Sequence, residues 1–144
     1  MASKTAVITL AGEGLRFVAR SGSGHDIVLD DGRGDTGMRP SELVPIAVAG
    51  CTAMDVISIL RKKRQDVRGY RVETEGQQMD AYPNAFLRID VTHIVTGVGL
   101  DPAAVGRAIE LSATKYCSVK GMLGPQVNVT TSYRVDEDVA PDED

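Results

Sequence analysis

The residues best suited to chemistry in this chain are its two cysteines, Cys51 and Cys117. They lie far apart in sequence, so they form neither a CxxC redox pair nor a zinc site of adjacent ligands. Two readings stay open: a pair of buried, inert thiols, the usual fate of free cysteine, or a peroxidatic and a resolving thiol brought together by the fold. The second needs a cation or a helix N-terminus to lower a thiol pKa. Cys51 sits in "SELVPIAVAGCTAMDVISILRKKR" (41–64), with no base beside it in sequence. On a helix Asp55 and Ser58 share its face. Glu42, nine residues back, falls about 180° around and reaches a Cys51 only from a second chain. Asp55, a carboxylate in an apolar helix, requires a partner and reads first as a structural anchor. Cys117 falls near the end of a predicted helix, which does not favour its thiolate. His25 and His93 are single histidines on predicted strands and read as structural.

The elements that must position these thiols follow from periodicity. "KTAVITL", "LRFVAR" and "HDIVLD" (25–30) read as three strands, the first two a hairpin. A loop at 30–40 has three glycines able to take positive φ. Ser41 is the expected N-cap of a long helix, with Glu42 in its first turn and Arg61, Lys62, Lys63 and Arg64 at its end. Gly69 is expected in the turn after it. "YRVETEGQQMD" (70–80) and "FLRIDVTHIVTG" (86–97) alternate as strands. Asp101 then Pro102 opens a second helix, expected to run to about Cys117, and "PQVNVTTSYRV" (125–135) is a last strand. The order βββ-α-ββ-α-β predicts an α+β fold with antiparallel sheets. Residues 1–135 read as one domain and 136–144 as an acidic, disordered tail. The helix of 41–64 is apolar on nearly all sides and must be covered all round, which predicts a homodimer with this helix near the interface.

Composition limits the partners. A net charge of -4 over 144 residues argues against a nucleic-acid surface. The apolar run Val44–Leu60 is interrupted by Pro45, Gly50 and Asp55 and fits a buried helix better than a membrane span. No signal-peptide pattern opens the chain. A cytoplasmic location is therefore expected, where thiols stay reduced unless they do redox work.

"RPSELVPIAVAGCTAMDVISILRKKRQDV" (39–67) closely resembles the signature helix of the OsmC/Ohr family, and "ATKYCSVKGML" (113–123) its second cysteine segment. "SGHDIVLDD" (23–31) is a third match in order. The "CTAMDVISIL" and "KYCSV" forms are most similar to the YhfA-like branch. The resemblance implies an intertwined homodimer, with two long central helices sandwiched between sheets from both chains. It also implies a thiol-dependent peroxidase acting on small organic hydroperoxides in oxidative-stress defence. Cys51 would be the peroxidatic and Cys117 the resolving thiol, with a thiol or protein-bound lipoyl group as reductant and no metal or bound cofactor. The family pattern has a glutamate directly after the helix-starting proline; here Ser41 stands there and Glu42 follows, which makes Glu42 the third site candidate. The activating arginine of the family has Gly12 in its place, with Arg16 or Arg20 as substitutes. Two other expectations stand beside the peroxidase: non-catalytic binding of an apolar or acyl ligand at the dimer interface, and a Cys51/Cys117 redox sensor.

Overall fold

The computed structural model describes residues 1–139, which form two compact units divided between Val44 and Pro45. The first carries a three-stranded antiparallel meander, β1 (Ala6–Leu10), β2 (Phe17–Ser21) and β3 (Asp26–Leu29). Leu10 pairs with Phe17, and Ala19 with Ile27. The loop after β3 folds around Asp30, which is 5% exposed. Its carboxylate accepts from the Asp31 N–H and from the N–H and hydroxyl of Thr36. The glycines of this loop do not supply the positive φ expected of them; that conformation falls on Asp35, at φ 50°. Gly34 and Gly37 instead permit close approach, since a Cβ would strike the Asp30 carboxylate or the Val28 carbonyl.

A 3-10 turn, Pro40–Glu42, leads into α1 (Leu43–Lys62). Ser41 is therefore not the cap. Glu42 Oε1 accepts the Arg39 N–H at 2.8 Å, and Glu42 N–H donates to Arg39 O at 2.9 Å, so the acid reaches back and closes the turn itself.

In the second unit, β4 (Asp66–Gln78) and β5 (Phe86–Val98) form a long antiparallel pair, with Gly69 at a bulge inside β4 and not in a preceding turn. Then come α2 (Pro102–Leu111), a π-helical turn (Ser112–Tyr116), α3 (Ser118–Met122) and β6 (Asn128–Glu137). β5 lies between β4 and β6, and β6 runs parallel to it, pairing Ile89 with Val129 and Val95 with Val135. The expectation of purely antiparallel sheets is corrected here. The chain between β5 and β6 is long enough to leave β5 at Val98 and return through α2 and α3 to the end where β5 begins, which a parallel pair requires. β6 also takes in Asp136 and Glu137, assigned from sequence to the tail. They pair with Thr96 and Gly97, and the Glu137 carboxylate accepts the Gly99 N–H. Residues 140–144 of that tail lie outside the described residues.

The second helix ends earlier than its periodicity suggests. Asp101 Oδ1 accepts the Ala103 N–H at 3.0 Å and starts α2 as expected. At Ser112 the backbone widens, so that Cys117 N–H donates to Ser112 O at 2.8 Å, and Cys117 turns extended at ψ 101° to cap α3. The core joins Val56 and Leu60 of α1, Val95 of β5, and Val105, Ala108 and Ile109 of α2. Burying such an aliphatic side chain stabilises the fold by about 1.5–3 kcal/mol. By length and apolarity alone Pro40–Lys62 could cross a membrane, but Val48, Thr52, Val56 and Leu60 recur every fourth residue as a buried stripe, the pattern of a core helix.

Candidate functional site

Cys51 lies on α1 beside that stripe, half-buried, while Cys117 is buried at 8% exposure. What brings them together is the docking of the π-helical turn. The Ser112 hydroxyl, fully buried, lies 2.9 Å from both Thr52 Oγ1 and Asp55 Oδ2. Asp55 thus finds its partner on the segment that carries the second cysteine, and its anchoring role is the observed one. Five residues after Ser112 the chain delivers Cys117 to α1, with Ser118 Oγ 4.0 Å from Cys51 Sγ.

The two sulfurs share one set of donors. Lys120 N–H donates to Cys117 Sγ at 3.4 Å. Partial burial opposes ionisation of Cys51, but the Val119 N–H, the Cys117 thiol and Ser118 outweigh it, and its pKa falls below the ordinary thiol value. Cys117 moves the other way. Burial pushes it up, the Lys120 N–H only partly offsets this, and the neighbouring Cys51 sulfur raises it further. The thiol that ionises less readily thus donates to the one that ionises more readily. The groups acting most on Cys51 are hydrogen-bond donors and not cations. The backbone N–H groups of the first α3 turn, which have no acceptor within the helix, do much of this. Cys117 therefore lies at a helix start rather than a helix end, against the expectation from periodicity.

The other candidates go elsewhere. Glu42 is exposed and engaged with the Arg39 backbone. Arg20 forms an exposed ion pair with Asp26 at 2.8 Å. Among the described residues no group of three His, Cys, Asp or Glu side chains converges as a metal site. His93 is fully buried on β5; its Nδ1 lies 2.6 Å from the Tyr70 hydroxyl, and its Nε2 has no partner among the described residues. Burial lowers its pKa to about 4, so the ring is neutral. Sequence reasoning missed Ser112, Ser118 and the α3 amides. "KYCSVKG" held the only signal, a small polar residue after a residue able to cap, and it is faint.

Comparison with known proteins identifies the family and the fold. Residues 32–132 match the OsmC-like protein family. The protein YhfA of Escherichia coli (strain K12) is 48% identical over 123 residues, 85% of this chain and 92% of that one. A hypothetical protein from Aquifex aeolicus VF5 has a crystal structure that matches with a TM-score of 0.86 at 27% identity, covering 96% of this chain and 100% of that one. The organic hydroperoxide resistance protein OhrB of Bacillus subtilis matches with a TM-score of 0.62 at 16% identity, covering 92% and 98%, a likeness of fold.

Proposed function

The chain belongs to the OsmC-like family, and on that premise we propose that it is a thiol peroxidase for small organic hydroperoxides, working as a homodimer in oxidative-stress defence. One observation carries this reading: two cysteines distant in sequence meet beside α1, with Ser118 Oγ 4.0 Å from Cys51 Sγ and the Lys120 N–H 3.4 Å from Cys117 Sγ, and burial and hydrogen bonding push their pKa values apart. Cys51 thiolate attacks the outer peroxide oxygen, the O–O bond breaks, and the alkoxide leaves with a proton as the alcohol. Cys51 is then a sulfenic acid. The Cys117 sulfur displaces its hydroxyl as water, and a disulfide forms. A dithiol, such as a protein-bound lipoyl group, reduces that disulfide by exchange. No step calls for a metal or bound cofactor. A cytoplasmic setting suits the cycle, since it keeps both thiols reduced between turnovers. Glu42, exposed and closing its own turn against Arg39, is assigned to this reaction only as a contribution from a second copy of the chain.

Stopped-flow consumption of cumene hydroperoxide and hydrogen peroxide tests the reading. Wild-type protein turns over with a dithiol reductant; Cys51→Ser is inactive; Cys117→Ser is oxidised once at Cys51 and forms no intramolecular disulfide. Wild-type rates no higher than those of Cys51→Ser would sink it.

A second reading has its own support. The first unit holds an open apolar cavity of about 500 Å³, lined by Ile8, Leu15, Phe17 and Leu29, with Arg39 and Asp30 at its edge. That chemistry suits an acyl or other apolar ligand held without reaction. Equal binding of a fluorescent fatty acid by wild type and Cys51→Ser, with no peroxide consumed by either, would favour it. The redox-sensor reading has no separate observation behind it.

A further inference from the structure

A small cavity beside Cys117 leads to a residue that the reaction above does not use. It measures about 10 Å³ and is lined by Thr52 of α1, His93 of β5, Thr131 of β6, and Cys117 and Lys120 among others. That volume is the lower limit for one water molecule, which in a protein interior makes about three hydrogen bonds. Among the lining residues Thr52 and Thr131 carry hydroxyls, Cys117 a thiol and His93 the unpartnered Nε2.

The tautomer of His93 turns on its neighbour. Burial pushes the Tyr70 hydroxyl far up, so it stays protonated, and 2.6 Å from His93 Nδ1 it is placed to donate to that nitrogen. A neutral ring that accepts at Nδ1 carries its proton on Nε2. In that tautomer Nε2–H is a fully buried donor that finds no acceptor among the described residues, an arrangement that folded proteins rarely leave unanswered.

We propose that one water occupies this cavity, accepts from His93 Nε2–H and donates to Cys117 Sγ, which makes His93 a positioning residue for the resolving thiol. The functional consequence rests on the Cys51/Cys117 reading; the hydrogen-bond chain itself does not. Every donor in that chain points the same way: Tyr70 O–H to Nδ1, Nε2–H to water, water to sulfur. Donors aimed at a sulfur favour its thiolate over its thiol, and aligned donors reinforce one another. The resolving step needs this help. Cys117 gives up its proton, its sulfur bonds to the Cys51 sulfur, the S–O bond of the sulfenic acid breaks, and the hydroxide leaves with that proton as water. Burial alone makes Cys117 reluctant to ionise. The other titratable groups near it are Cys51 on α1 and Lys120 on α3, whose backbone N–H already donates to the sulfur. Asp55 is bound to Ser112, and β6 lines the cavity with Val129 and Thr131, neither of which titrates.

The test is the titration of Cys117 in a Cys51→Ser background, read as alkylation rate against pH. Adding His93→Leu is expected to move that titration upward by roughly one pH unit, a tenfold loss of thiolate at fixed pH. His93→Gln, whose amide N–H can reach the same water, restores most of it. In the two-cysteine protein His93→Leu slows disulfide closure in the same proportion and leaves the first oxidation of Cys51 unchanged. A Cys117 titration that does not rise in folded His93→Leu overturns the inference and leaves the peroxidase standing. A titration that rises in a protein that consumes no peroxide upholds the inference and removes the peroxidase. Should His93→Leu not fold, the ring ¹⁵N shifts of His93 in the wild-type protein decide. A protonated Nε2 that responds as Cys117 ionises upholds the inference. A proton on Nδ1, or no response, overturns it.

Discussion

Cys51 and Cys117 are chemically identical side chains that the fold makes unequal. The difference lies in which of them donates. Cys117, the more buried, keeps its proton and offers it to Cys51. Removing either partner should therefore move the other in a defined direction. In Cys117→Ala the Cys51 sulfur loses a donor, so its titration rises toward the ordinary ~8.5 of a free thiol. In Cys51→Ser the negative neighbour of Cys117 is gone, so Cys117 titrates lower than in the wild type. Ultraviolet absorbance of the thiolate across pH measures both, and a Cys51 titration indifferent to Cys117 would contradict the pairing. Since the Cys51 pKa is lowered, its thiolate is present above that value and is lost as pH falls through it, giving peroxide consumption an acid limb set by Cys51. The thiols themselves were legible in the sequence by type and by their surrounding motifs. Their environment was not, because burial and the Val119 and Ser118 backbone amides help to tune Cys51, and an amide carries no signature in a side-chain pattern.

At the scale of elements, the site depends on how the segment after α2 is fastened to α1. Ser112 is the fastening: it bonds Thr52 and Asp55, one helical turn before the cysteine arrives. Ser112→Ala should cost about 1–3 kcal/mol, the penalty for leaving buried polar partners unmet, and should also weaken the coupling between the two thiols. Urea denaturation reads the first effect and the alkylation rate of Cys51 the second. Loss of stability with unchanged Cys51 reactivity would mean that Ser112 supports the fold but does not align the site. The order of the strands and of the two longer helices was legible from alternation, from the Asp101–Pro102 start and from the long apolar run. Three features were not. Apolar periodicity persists from Val105 to Tyr116, which hides the widening of the helix at Ser112. A glutamate that closes its own turn looks the same in sequence as one that only faces a helix dipole. Alternation in β6 is also blind to direction, because a strand read forwards or backwards shows the same two faces.

For the molecule as a whole, the unanswered surface is that of α1. Only 22% of its most apolar stretch is buried within the chain, with Ile46 and Met54 among the residues left open. A soluble chain seldom exposes so much of an apolar helix without a partner. The proposed homodimer predicts sedimentation at twice the chain mass, and Met54→Arg should shift the protein toward monomer by burying an unpaired charge. A wild-type protein that stays monomeric at micromolar concentration would refute this. The need for cover was readable from the sequence, since no face of the helix is polar enough to meet water. The parallel seating of β6 has one more consequence. Asn128 joins the sheet beside Arg88, and everything between β5 and that point spans a gap with both ends tied. The resolving cysteine rides on that span. A chain cut short before β6 would retain both sulfurs and the whole of α1, yet lose the far mooring that holds Cys117 in reach.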